Sequence, residues 1–215
     1  NILFLKYVPG IKAWGPYREL DAREWETICD LLSRYSAKLT VGITAGWVEA
    51  SGSITPFPEK FSKQADVIKS AVSENLLEIA NHGLTHCVVG KHLPRWLSSN
   101  RKYHREFWEW VPRKIHFAHL EQSQSIFRNW LGFHPTLLIP PGNVYSRDTI
   151  DAAQDHGITT VNSSNSRISL AGIRLISEDQ VVPFHDRELV LYGMAWFEEQ
   201  LKKNGDREFV FVRDL

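Results

Sequence analysis

Leu76 to His92 reads LLEIANHGLTHCVVGKH, and the rest of the chain is organised around this stretch. Leu76-Leu77-Glu78-Ile79-Ala80 is an apolar run of the length expected for a buried strand. The run breaks at Asn81-His82-Gly83, and a second histidine, His86, follows four residues after the first. On a helical turn, side chains at i and i+4 share one face, so two imidazoles there can converge on a single metal ion. Spacing alone does not separate this pair from coincidence in a chain with nine histidines. Position does. In barrels and open sheets built of parallel strands, chemistry collects at the carboxyl ends, where loops aim side chains at a common point. Two more polar motifs follow apolar runs in the same way: TLLIPPGN at 136–143, and VVPFHDR at 181–187, which delivers His185 and Asp186.

Outward from there the chain alternates between strand and helix patterns. Residues 2–8 read as a first strand closed by Pro9-Gly10. Asp21 with Glu24 is a capping signature that opens a helix to about Tyr35, with Trp25, Ile28, Cys29, Leu31 and Leu32 on one face. Residues 39–43 form a second strand, Gly46-Trp47 marks its loop, residues 55–58 are irregular, and a helix covers about 60–72. Residues 92–111 read as a long loop with short helical pieces. A helix over 113–131 is stopped by Gly132, a strand covers 136–139, and a helix over 146–156 ends at Gly157. Strands are expected at 158–161, 173–176, 181–184 and 209–212, with a helix over 193–203 before the last of them. Such alternation implies a parallel sheet with right-handed crossovers. The expected fold is an irregular (β/α) barrel in one domain over residues 1–215.

Composition narrows the class of function. Hydrophobic residues make up 43% and charged residues 23%, an ordinary globular balance. Lys plus Arg and Asp plus Glu number 25 each, which argues against a nucleic-acid or anionic-membrane surface. Cys29 and Cys87 are too few for a disulfide framework. No apolar run approaches the ~20 residues of a membrane span. Asn1-Ile2-Leu3-Phe4-Leu5 meets Lys6 at once, unlike a signal peptide, so a cytoplasmic location is expected, with an exported, processed form as the alternative.

The motif EIANHGLTH, the Gly132-to-Pro135 step into LLIPPGN, and the late FHD together resemble the polysaccharide deacetylase family, the NodB-homology or carbohydrate esterase family 4 fold. The resemblance runs in order over roughly residues 20 to 200. It implies an irregular (β/α) barrel and a metal-dependent hydrolase that removes acetyl groups from an N-acetylated sugar or polysaccharide precursor, as in bacterial surface-polysaccharide pathways. It implies His82 and His86 as ligands of a divalent metal, zinc first, with cobalt or nickel possible. His185 corresponds to the general acid for the leaving amine, histidine being the side chain that exchanges protons near neutral pH. Asn143, Trp47 and Asp186 are the candidate substrate contacts, with indole faces suited to stacking on sugar rings. The other loop tryptophans are Trp96, Trp108 and Trp110; His104, His116, His119 and His156 read as surface or helix residues.

Three departures stand beside the match. The family's paired aspartates belong near the end of the first strand, where this chain has Tyr7-Val8-Pro9-Gly10. Ile139 occupies the place of the Arg in the family's Arg-x-Pro turn, and no Asp-x-x-Asp-Trp motif is recognisable near 162–165. The third metal ligand and the general base are therefore not assigned. The alternative reading is a catalytically inactive protein that binds carbohydrate on the same fold.

Overall fold

Short strands laid down in chain order position everything else. The computed structural model describes residues 18–49, 51–86, 105–163, 172–177 and 180–215. The strand expected at 2–8 and most of the loop expected at 92–111 lie outside these residues, as do Cys87, Trp96 and His104.

Helix α1 (Ala22–Arg34) starts at the cap that the sequence predicts. Glu24 N–H donates to Asp21 Oδ1 at 2.9 Å, and Asp21 N–H donates to a Glu24 carboxylate oxygen at 2.8 Å. Reciprocal caps of this kind stabilise a helix by about 1 kcal/mol. The helix buries Ile28, Leu31 and Leu32. Cys29 on the same helix is a half-buried free thiol, and burial pushes its pKa up to about 11.

Strand β1 (Leu39–Ile43) pairs in parallel with β4 (Leu77–Asn81) over five residues, from Leu39 opposite Leu77 to Ile43 opposite Asn81. Every residue of β4 is buried, as a strand covered on both faces requires. Strands β5 (Leu137–Leu138), β6 (Thr160–Asn162) and β7 (Arg174–Ile176) continue the parallel sheet. The sheet order is β1-β4-β5-β6-β7, the order along the chain. A doubly wound sheet reverses direction at a switch point; this one grows on one side only, as a (β/α) barrel does. Among the described residues β1 and β7 do not pair with each other, so the sheet is open between them.

Helix α3 (Ser62–Ser73) crosses back to β4, and α4 (Arg113–Leu131) leads to β5. Helix α4 ends where expected, with Gly132 in the left-handed region at φ 87°. Helix α5 (Arg147–Asp155), capped by Ser146, leads to β6. Leu32, Ile68, Leu77, Ile79 and Phe127 sit in one apolar cluster, and Leu120, Leu138, Ile150 and Val161 in a second. Each such side chain contributes about 1.5–3 kcal/mol by leaving water.

Several elements differ from expectation. Gly46-Trp47 is not a loop: β2 (Gly46–Val48) pairs antiparallel with β3 (Ile54–Pro56), and a four-residue helix α2 (Phe57–Lys60) follows. Residues 181–184 are not a strand. Pro183 lacks a ladder donor and Val182 is 53% exposed, and the segment leads without strand pairing into α6 (Asp186–Tyr192). Gly193 then separates α6 from α7 (Met194–Lys203). Residues 209–212 make no strand either. The chain end docks instead on the amino-terminal half of the β1–β4 pair: Val212 N–H donates to Thr40 Oγ1 at 3.1 Å, and Arg213 N–H donates to Glu78 Oε2 at 3.4 Å. Burial raises the Glu78 pKa, against the lowering pull of Thr40 and Arg213.

Candidate functional site

The carboxyl end of β4 places His82 between its two neighbouring strands. His82 N–H donates to Ile43 O of β1 at 2.9 Å, and Ile139 N–H, just past β5, donates to Asn81 O at 2.9 Å. The ring follows the backbone: His82 Nδ1 lies 2.6 Å from Ile139 O. A carbonyl oxygen only accepts, so Nδ1 carries the proton and Nε2 keeps its lone pair. Burial first, and the neighbouring His86 second, lower the His82 pKa to about 3, with the Ile139 carbonyl opposing. The imidazole is neutral at physiological pH, the form that binds a metal.

The loop after β4 is held from behind by a buried amide. Asn81, fully buried, accepts from Gly83 N–H through Oδ1 at 2.8 Å. Its Nδ2 donates to Ser123 Oγ at 2.8 Å and Gln124 Oε1 at 3.3 Å on α4. Gly83 takes φ +81° and His86 takes φ +61°, so residues 82–86 form a bent loop and not the helical turn that the spacing suggested. The physical reason is local: the Asn81 side chain takes the Gly83 N–H, and two left-handed residues reverse the chain.

The bend nevertheless brings the rings together. His82 and His86 centroids lie 5.2 Å apart with their planes at 59°. Two imidazoles bound to one tetrahedral metal at ~2.0–2.1 Å have centroids roughly 5 Å apart. The separation of the two rings equals that expected for two imidazoles on one divalent metal. Among the described residues no group of three or more His, Cys, Asp or Glu side chains could hold a metal, so a third protein donor is not found there.

The remaining residues singled out by sequence are placed as follows. His185 bears weakly on His82, as the last of the charges that lower the His82 pKa, and among the described residues it does not join the pair in a three-residue metal-binding group. It is the N-cap of α6 with its side chain 82% exposed, and its N–H donates to Glu188 Oε2 at 2.7 Å. Asp186 opens the same helix, its Oδ1 accepting from Arg187 N–H at 2.8 Å. Asn143 ends a 3-10 turn (Pro141–Asn143) beyond β5, at φ +56°, and its carbonyl accepts from Ser163 Oγ at 3.4 Å. Trp47 is 39% exposed on β2 and meets Phe61 edge-on at 5.3 Å. Its hairpin adjoins the site loop, since Ala45 N–H donates to Gly83 O at 3.0 Å and Gly46 N–H to Leu84 O at 2.6 Å.

Sequence reasoning missed a buried pair beneath the loop. His119 and Glu106 are both buried, with His119 Nδ1 2.6 Å from Glu106 Oε2. His116 is buried as well, bonded to Thr149 Oγ1 at 2.9 Å and Val111 O at 3.1 Å, and burial lowers its pKa. Both histidines stand on helix α4, one of the two placements expected of them, but on its buried face. The available signal was their i, i+3 spacing with Leu120, Ser123 and Phe127 on the inner face of α4.

Residues 15–161 match the polysaccharide deacetylase family. Among solved structures, a family 4 acetyl xylan esterase from Clostridium thermocellum, in complex with a cobalt ion, shares 14% identity over 92% of this chain and 85% of that one, with a TM-score of 0.50. A de-N-acetylase from Aggregatibacter actinomycetemcomitans shares 15% identity over 71% of this chain and 63% of its own, with a TM-score of 0.47. A CE4 family pseudoenzyme from Bacillus anthracis shares 12% identity over 87% of this chain and 59% of its own, with a TM-score of 0.48. The chain spans less than two thirds of the length of these last two proteins. No protein of curated function matches the sequence significantly. With its parallel sheet wound in chain order and more than half of its length matching one family of hydrolases, the chain belongs to the polysaccharide deacetylase family.

Proposed function

We propose that the chain hydrolyses the N-acetyl amide of a sugar or polysaccharide precursor, giving the free amine and acetate. The observation that carries this reading is the His82–His86 pair at the end of β4, with His82 neutral and its Nδ1 committed to Ile139 O. A divalent metal, zinc first and cobalt or nickel next, would be held through these two imidazoles; bound there, it supplies polarisation of the acetyl carbonyl and acidification of a water. His185, with an exposed side chain, would give a proton to the departing amine. Trp47 offers a partly exposed indole for a sugar ring, and Asn143 and Asp186 would supply polar contacts.

A second reading, carbohydrate binding without hydrolysis, is favoured by Tyr7-Val8-Pro9-Gly10 and Ile139, which lack the acids and the arginine that the family's chemistry uses. Metal content by elemental analysis, followed by acetate release from N-acetylated sugars of increasing length, separates the two. About one metal per chain, lost in a His82→Ala/His86→Ala double variant, together with acetate release, supports hydrolysis. Sugar binding without acetate release from the metal-loaded protein supports the second reading. Protein that stays metal-free after reconstitution removes the first.

A further inference from the structure

Beneath the histidine loop lies a carboxylate that neither the sequence motifs nor the proposed chemistry uses. Glu106 is fully buried, and its carboxylate bonds among the described residues to His119 and to the loop itself. Its Oε2 accepts from His119 Nδ1 at 2.6 Å and from Thr85 N–H at 3.3 Å. Its Oε1 has no hydrogen-bond partner among the described residues and presses against Gly83, where a Cβ would come within 1.4 Å of it. Burying a carboxylate with one oxygen unpaired is costly, and an apolar side chain of similar volume avoids that cost. The burial therefore points to a geometric role. The loop needs one, because His86 sits in the left-handed region that a non-glycine residue adopts only when its surroundings hold it there.

Helix α4 grips this loop twice. Ser123 and Gln124 hold Asn81, which holds Gly83 N–H; one turn earlier, His119 holds Glu106, which holds Thr85 N–H. The two anchors bracket the bend between the proposed metal-binding imidazoles.

We propose that Glu106, oriented by His119, is a positioning residue: it fixes Thr85 and thereby the left-handed His86, and so sets the affinity of the His82–His86 pair for a divalent cation. This rests on the reading of that pair as metal ligands. Carboxylates that orient a metal site from outside the ligand shell change affinity by about 10–100-fold when removed.

The test is Co(II) titration of the full chain, followed by visible absorption, beside amide hydrogen exchange at Thr85. Glu106→Ala is expected to weaken Co(II) binding about 10–100-fold, alter the Co(II) spectrum and speed Thr85 exchange at least tenfold. Glu106→Gln, which keeps volume and one acceptor, is expected to recover part of each. Glu121→Ala, on the exposed face of α4, should change neither. In a His86→Ala background the Glu106 effect on binding should shrink to within about twofold, because it acts through His86. Wild-type affinity and unchanged Thr85 exchange in both Glu106 variants would overturn the positioning role and leave the metal reading standing. A wild-type chain that binds no Co(II) overturns the metal reading and the affinity claim together, while Thr85 exchange still decides whether Glu106 holds the loop.

Discussion

The loop after β4 and the segment before α6 each carry a histidine that the sequence singles out, and they are built in opposite ways. At β4, His82 is tied by its backbone to β1 and by its ring to Ile139, and the loop behind it is clamped through Asn81 and Glu106. At α6, His185 is 82% exposed and caps its own helix. One region fixes an imidazole in a defined tautomer; the other holds an exposed imidazole in a helix cap near Glu188. A ligand must be preorganised, and a proton donor needs only reach. The contrast is between a buried, tethered imidazole and an exposed one at a helix cap.

The sharpest way to break this comparison is Gly83→Ala. It places a side chain at φ +81° and into the Glu106 carboxylate, so we expect a loss of about 3 kcal/mol or more in urea unfolding. A loss below about 0.5 kcal/mol would show that the loop is not clamped. Asn81→Ala comes next. It strands Gly83 N–H in the interior and removes the donor to Ser123 Oγ and Gln124 Oε1, and about 2–3 kcal/mol should be lost together with metal uptake.

The acid dependence of the metal-free protein sharpens the contrast further. The folded pKa of His82 is lowered, so the unfolded chain binds a proton that the folded chain refuses. This contribution is complete above the ordinary histidine value of about 6.5 and is lost as pH falls toward about 3. Glu78, at the other end of the same strand, has a raised pKa and opposite sign: its contribution is present below the ordinary carboxylate range and is lost as pH rises through its folded value. Stability of chelator-treated protein against pH, compared with His82→Asn and Glu78→Gln variants, should show a flatter acid limb in the first and none of that flattening in the second.

The smallest expected change in stability is at His185. His185→Ala should shift unfolding by less than about 0.5 kcal/mol and leave metal content intact, yet slow acetate release about 10²-fold. Unaltered turnover would remove His185 from the chemistry without touching the fold.

What was legible in sequence follows from range. The cap at Asp21 and Glu24, the span of α4 and the buried run of β4 are set by residues within one or two turns of each other, and they stand where the pattern put them. The β2–β3 hairpin was missed because three-residue strands are too short to show alternation. The segment at 209–212 carries a strand-like pattern, but its donors go to a side chain 172 residues earlier and not to a neighbouring strand. The histidines themselves were visible; their support was not. Glu106 lies 21 residues from Thr85, and Ser123 lies 42 from Asn81, separations at which a polar residue in sequence gives no sign of being buried.

The grip of α4 on Asn81 also has a temporal side. Strands β1 and β4 can pair as soon as both exist, but the histidine loop cannot take its bend until residues 119–124 have folded into a helix and docked. The site is thus acquired late, after the first half of the sheet. A nascent chain arrested before that helix would carry both histidines with no fixed relation to each other until synthesis had passed it.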